Sequence, residues 1–131
     1  MYFLDTNTCI YFLNGQSERI KNKILFTPPI EIKIPAIVKA ELLLGAYKSA
    51  KRESNTQKLE AFLQPFEVVA FSDQMSYTYA DIRSKTQKAG KPVGPNDLLI
   101  AAIVILSQGV LITNNIAEFE HIDGLVLENW L

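Results

Sequence analysis

The sequence predicts an α/β fold in which a short parallel sheet lies between layers of helices. Three observations lead there. The apolar runs are brief and rich in Ile, Val and Leu, as strands buried on both faces are. Helical segments with recognisable starts and stops separate these runs, and parallel strands need connections of that kind. The chain has 131 residues, enough for one domain that buries roughly two-thirds of its unfolded surface.

The elements follow in order. Tyr2-Phe3-Leu4 reads as a buried strand ending at Asp5. Thr6-Asn7-Thr8 offers capping side chains, and Cys9 to Leu13 continues as a short helix stopped at Asn14-Gly15. Ser17 caps a second helix through about Phe26, with Pro28-Pro29 beyond its end. Ile32 and Ile34 flank Lys33 in a strand that stops at Pro35, which opens a long helix to about Ala50. After a charged hairpin, Gln57 to Leu63 is again helical, and Glu67 to Phe71 is a strand. Ser72 or Asp73 caps a helix running to Gly90. Pro95 opens an almost wholly apolar helix that ends near Gly109, followed by a buried strand, Val110 to Thr113. Ile116 to Phe119 is a helical turn, and Leu125 to Leu127 is a last strand.

Composition narrows the class. Apolar residues make up 48% and charged residues 21%, close to globular averages and far from disordered, collagenous or coiled-coil sequence. Cys9 is the only cysteine, which excludes an internal disulfide framework. The N-terminal residues lack the basic region of a signal peptide, and the run Leu98 to Leu106 is about half a membrane span. The expectation is a single domain over residues 1–131, reduced, soluble and cytoplasmic. Net charge is −1, but all 13 Lys and Arg lie between Arg19 and Lys91. Residues 1–91 carry a net +4 and the last 40 residues a net −5. That asymmetry suits a basic face beside an acidic pocket, and equally suits solvated helices.

Three acids stand out. In parallel sheets the working residues gather beyond the carboxyl ends of the strands, where Asp5 and the Thr113-Asn115 turn should lie. Asp5 also fits the simpler role of a helix cap. Glu41 has Ile37, Val38, Leu44 and Gly45 as helical neighbours, so an isolated charge there needs compensation by a cation, a proton or a route to water. Asp97 opens the most apolar helix, where a first-turn acid is favourable in any case. Taken together, three carboxylates from separate elements would repel one another unless a divalent cation neutralised them. Oxygen ligands without His or Cys suit Mg²⁺ or Mn²⁺ rather than Zn²⁺.

The pattern resembles the PIN-domain ribonucleases, specifically the VapC-type toxins of bacterial toxin–antitoxin pairs. The matching segments are Phe3 to Asn7, Lys39 to Leu42, Pro92 to Ala102, and Ile112 to Asn115 with Glu118-Phe119. They occur in the family's order and span nearly the whole chain. The resemblance implies a three-layer α/β/α sandwich with four to five parallel strands. It also implies an Mg²⁺-dependent endoribonuclease, with Mn²⁺ able to substitute, that leaves 5′-phosphate and 3′-hydroxyl ends. By the same resemblance Asp5, Glu41 and Asp97 are the catalytic metal ligands. Asn115 or Glu118 stands where many relatives have a fourth acid. Thr6, Asn7 and Thr113 position the ligands or the phosphate. A homodimer, a small VapB-type antitoxin and an RNA substrate held by Lys and Arg complete the expectation, with initiator tRNA as the suggested target.

Other residues invite plainer readings. His121 lacks a nucleophilic partner, Cys9 suits an apolar core, and Trp130 a packed chain end. Tyr11, Tyr47, Tyr77 and Tyr79 could stack on bases but more simply pack, and Lys85, Lys88 and Lys91 suit a solvated face. A phosphoacceptor domain needs an acidic pair after the first strand and a lysine after position 91, and the sequence has neither. An idle PIN binding module and a PIN nuclease of RNA processing are the remaining alternatives.

Overall fold

The computed structural model describes residues 1–131. The order of elements is β1 (Tyr2–Leu4), α1 (Thr6–Leu13), α2 (Glu18–Phe26), β2 (Ile32–Pro35), α3 (Ala36–Lys48), α4 (Arg52–Leu63), β3 (Glu67–Val69), α5 (Met75–Lys88), α6 (Pro95–Leu106), β4 (Val110–Ile112), α7 (Ile116–Phe119) and β5 (Val126–Glu128), with a 3-10 turn at Pro29–Glu31. The five strands form one sheet in the order β3-β2-β1-β4-β5, and every pairing is parallel. Helices cover both faces, as the sequence predicts. No helix is long and apolar enough to cross a membrane.

β1 is the central strand. Tyr2 pairs with Ile32 of β2 on one side and Val110 of β4 on the other. The chain winds outward through β2 and β3, then returns to lay β4 and β5 on the opposite side. The order therefore reverses between β1 and β4, and a crevice opens at the carboxyl ends of strands where this happens. Phe3, Leu4, Ile32, Ile34, Leu111 and Ile112 fill the sheet's interior, and Leu98 with Ile100 to Val104 of α6 packs against them.

Several boundaries differ from the sequence-based expectation. Asp5, not the Thr6-Thr8 segment, caps α1: its carboxylate accepts from the Thr8 N–H at 2.8 Å. α3 ends at Lys48, and α4 starts at Arg52, five residues before the predicted Gln57. The charged stretch 52–56 is helical because Leu59 and Leu63 anchor the same helix in the core. β3 ends at Val69, since Ala70 and Phe71 leave the ladder. Neither Ser72 nor Asp73 caps α5 with its side chain. Their backbone carbonyls accept from Met75 and Ser76 instead. The last strand is displaced by one residue, to Val126–Glu128.

Candidate active site

α1, α3, α6 and α7 converge at the carboxyl end of β1. Asp5 follows Leu4, and its N–H donates to the Ile112 carbonyl of β4 at 3.1 Å. Its side chain is therefore held between the two strands that flank the reversal. α3 begins directly from β2 through Pro35 and buries Val38, Leu42 and Ala46. Glu41 lies beside that buried stripe rather than on it, because its neighbours Leu44 and Gly45 are exposed. Glu41 is half-buried, and no Lys or Arg pairs with it. The Thr6 hydroxyl donates to its Oε1 at 2.6 Å, and the Asn96 amide reaches Oε2 at 3.5 Å. Pro95 starts α6 with its fixed φ and no donor to leave unpaired. The apolar remainder of α6 presses into the core, which sets Asp97 of the first turn at the crevice.

The result is an open pocket of about 260 Å³ lined by Asp5, Thr6, Asn7, Glu41, Asp97, Asn115, Glu118 and Phe119. Four of these residues are acids, and none is Lys or Arg. The sequence left Asn115 and Glu118 as alternatives, and the structure brings both to the pocket. The short α7 folds back so that the Asn115 amide donates to Glu118 Oε2, while Glu118 Oε1 accepts from the Gly94 N–H at 3.5 Å. Thr113 is fully buried beneath them. Its hydroxyl oxygen accepts from the Asn115 N–H at 3.0 Å, and its side chain also hydrogen-bonds Asp5.

The crowding shows in the acid strengths. Burial raises the Asp5 carboxyl above its ordinary value, against hydrogen bonds from Thr113 and Thr8, and the charge of Glu41 adds to the rise. Asp97 is pushed up to about 7, first by burial, then by a hydrogen bond with Glu118 and its charge, then by Glu41 and Asp5. Such a pocket is short of positive charge. Its donors fit a hard divalent cation in kind: carboxylate and amide oxygens with no His or Cys. In their present rotamers, no three of the acids are arranged around one point that could hold an ion. Glu41 and Glu118 are each held by two hydrogen bonds, to Thr6 and Asn96 and to Asn115 and Gly94, and a shared cation would require their side chains to rotate.

The remaining sequence candidates lie elsewhere. His121 is exposed, with its imidazole 3.7 Å from Glu120. Cys9 is fully buried, and burial pushes its thiol pKa far up, which suits core packing and not nucleophilic attack. Trp130 packs on Tyr2 with ring centres 5.4 Å apart. Asn96 was missed as a site residue. It lies within the Pro92 to Ala102 segment, but an exposed asparagine in a first helical turn carries no signal until Glu41 is placed opposite it.

A parallel α/β/α domain carries a crevice lined by four acids and no basic side chain at the reversal of its sheet, and comparison with known proteins gives its family. The PIN domain model matches residues 2–125. Ribonuclease VapC2 of Rickettsia felis is 41% identical over 131 residues, covering 99% of this chain and 98% of the relative. The tRNA(fMet)-specific endonuclease VapC of Salmonella typhimurium is 35% identical over 129 residues, covering 98% and 97%. The crystal structure of VapBC2 from Rickettsia felis, bound to a DNA fragment from its promoter, contains a chain that superposes with a TM-score of 0.93 at 40% identity, covering 99% of this chain and 98% of that one. The chain belongs to the PIN-domain family and, within it, to the VapC-type ribonuclease toxins.

Proposed function

We propose that this chain is a divalent-cation-dependent endoribonuclease that hydrolyses RNA phosphodiester bonds at the Asp5–Glu41–Asp97 pocket, as the toxin of a pair completed by a VapB-type antitoxin. One observation carries the metal requirement: four carboxylates line the pocket and no basic side chain does. An RNA phosphate is itself anionic and is repelled from such a pocket unless positive charge intervenes. A bound Mg²⁺ or Mn²⁺ supplies that charge, polarises the phosphoryl oxygens and makes water a stronger acid.

The protein's own residues position. Thr6 fixes Glu41 Oε1 and leaves Oε2 directed toward Asn96. The Thr8 N–H and the Thr113 side chain hold the Asp5 carboxylate in place at the pocket. A carboxylate facing the attacking water orients it and accepts its proton. Water adds to phosphorus, the ribose 3′-oxygen leaves with a proton, and the products end in 5′-phosphate and 3′-hydroxyl. Glu118, and not the uncharged Asn115, would supply the fourth carboxylate toward a cation. Mn²⁺ should support cleavage at lower concentration than Mg²⁺.

The Salmonella relative's name supports initiator tRNA as the target, and the solved VapBC complex supports a VapB-type partner. Exposed apolar side chains, among them Phe26 at 84% exposure and Ile30 at 74%, leave area for an antitoxin and for a second copy in a homodimer. The test is RNA cleavage with Mg²⁺, Mn²⁺ or chelator, with 5′ ends sequenced after induction in cells. Cleavage that survives chelation, or that persists in a folded Asp97→Asn protein, would refute the reading.

A further inference from the structure

We propose that the outer face of α3, from Glu41 over Gly45 to Lys48 and on to the Tyr47–Arg52 pair, seats the RNA strand beside the scissile phosphate. This rests on the ribonuclease reading of the carboxylate pocket. Glu41, Gly45 and Lys48 are spaced four and three residues apart, so they share one face of the helix. Lys48 stands about 10 Å along the axis from Glu41. A groove of about 500 Å³ runs along this face, lined in part by Thr6, Glu41, Gly45, Lys48, Ser49 and Asn96. It shares Thr6 and Glu41 with the carboxylate pocket, so the two form one continuous surface.

Gly45 is the informative residue. Glycine is the poorest helix former after proline, yet Gly45 lies inside α3 without a positive φ, and a Cβ built there meets nothing within 4 Å. Neither the backbone nor the packing of this chain calls for a glycine. A bare helix surface does let another backbone approach closely. Beyond Gly45 the surface turns basic. Lys48, Lys51 and Arg52 make no ion pair with any carboxylate. The Arg52 guanidinium lies 3.9 Å from the centre of the Tyr47 ring, which remains 48% exposed. That contact holds the guanidinium against the ring, where its N–H groups can meet a phosphate and the exposed part of the ring a base. The turn beneath it is fixed, because the Asn55 amide donates to the Ser49 hydroxyl at 2.9 Å and that hydroxyl donates to the Ala46 carbonyl at 2.6 Å. Lys48 lines the groove and Lys51 and Arg52 stand beyond its end, and this run of unpaired positive charge favours a polyanionic strand over a protein segment.

The experiment measures steady-state cleavage of bulk tRNA in Mg²⁺ across a range of salt concentrations. The variants are Gly45→Ala, Gly45→Gln, Lys48→Gln and Arg52→Gln, with Lys85→Gln on α5 as the control for loss of any positive charge. Gly45→Gln should keep or raise the thermal midpoint yet raise KM about tenfold, with kcat little changed. Lys48→Gln and Arg52→Gln should each raise KM roughly 3- to 10-fold and flatten the logarithmic salt dependence by roughly 0.7 to 0.9, the share of one phosphate contact. Lys85→Gln should match wild type. Wild-type cleavage with unchanged KM in both Gly45→Gln and Lys48→Gln overturns the track and leaves the ribonuclease reading intact. Variants that cleave normally but escape neutralisation by the antitoxin assign the strip to the protein partner and also overturn it. A wild-type protein that cuts neither bulk tRNA nor total RNA overturns both readings.

Discussion

Asp5 has two jobs that pull its energetics in opposite directions. As the cap of α1 it satisfies the Thr8 N–H, a role whose loss costs about 1 kcal/mol. As a buried anion among other carboxylates it destabilises the metal-free fold. Asp5→Asn keeps an acceptor for the cap and removes the charge. In chelator it should therefore unfold at a denaturant concentration equal to or above that of wild type, and Asp5→Ala should unfold at a lower one than Asp5→Asn. Both should lose RNA cleavage by orders of magnitude. Asp97 sets a pH dependence. Its folded pKa of about 7 lies above its ordinary value of 3.8, so between those values the folded state holds the proton more tightly. Raising the pH across that window removes stability, and below it the contribution of Asp97 is constant. Thermal midpoints in chelator should thus fall from about pH 4 to pH 7, and Asp97→Asn should flatten the fall. Added Mg²⁺ should restore more stability at pH 8 than at pH 5, because protons compete with the ion. At this scale the sequence was informative wherever a charge interrupted apolar surroundings, as at Asp5, Glu41 and Asp97. Glu118 was harder to assign, because a four-residue helix has no periodicity from which to read where its side chain points.

Among the elements, α6 and its exit are the most constrained. After Leu106 the helix closes with Gln108 at φ 56, while the Gly109 N–H donates to the Val104 carbonyl at 3.1 Å and the Gln108 N–H to Ile105 at 3.0 Å. This is the Schellman arrangement, in which glycine is the usual left-handed residue. Gln108→Gly should therefore stabilise by several tenths of a kcal/mol to about 1 kcal/mol, net of the freedom that glycine adds to the unfolded chain. Gly109→Ala should do the reverse: its Cβ would come within 2.5 Å of the buried Phe3 ring, a clash worth about 1–3 kcal/mol. Urea titration of both variants checks the pair. Strand positions were legible because β1 and β4 are apolar on both faces and β2 alternates Ile32 and Ile34 around Lys33. Helix ends were less so. The start of α4 depends on anchors at Leu59 and Leu63, seven and eleven residues beyond Arg52, and local capping chemistry does not register contacts at that distance.

For the whole molecule, the exposed apolar side chains make self-association the natural expectation. Light scattering at increasing protein concentration should report a dimer mass, and a monomer at high concentration would contradict it. The sheet order has a further consequence, in time. β1 precedes both of its partners in the chain, and its second partner, β4, lies more than a hundred residues later. The central strand must wait for distant sequence, which slows closure. The acids are dealt out along the same length, at positions 5, 41, 97 and 118. No partial assembly of β1 to α5 contains Asp97 or Glu118, so the folding chain carries no complete carboxylate pocket until its last third has docked. In refolding, RNA cleavage should return with the slowest phase, after the far-ultraviolet helix signal. With cleavage at this pocket, as proposed, a toxin built in this order would stay harmless until the final strands are in place.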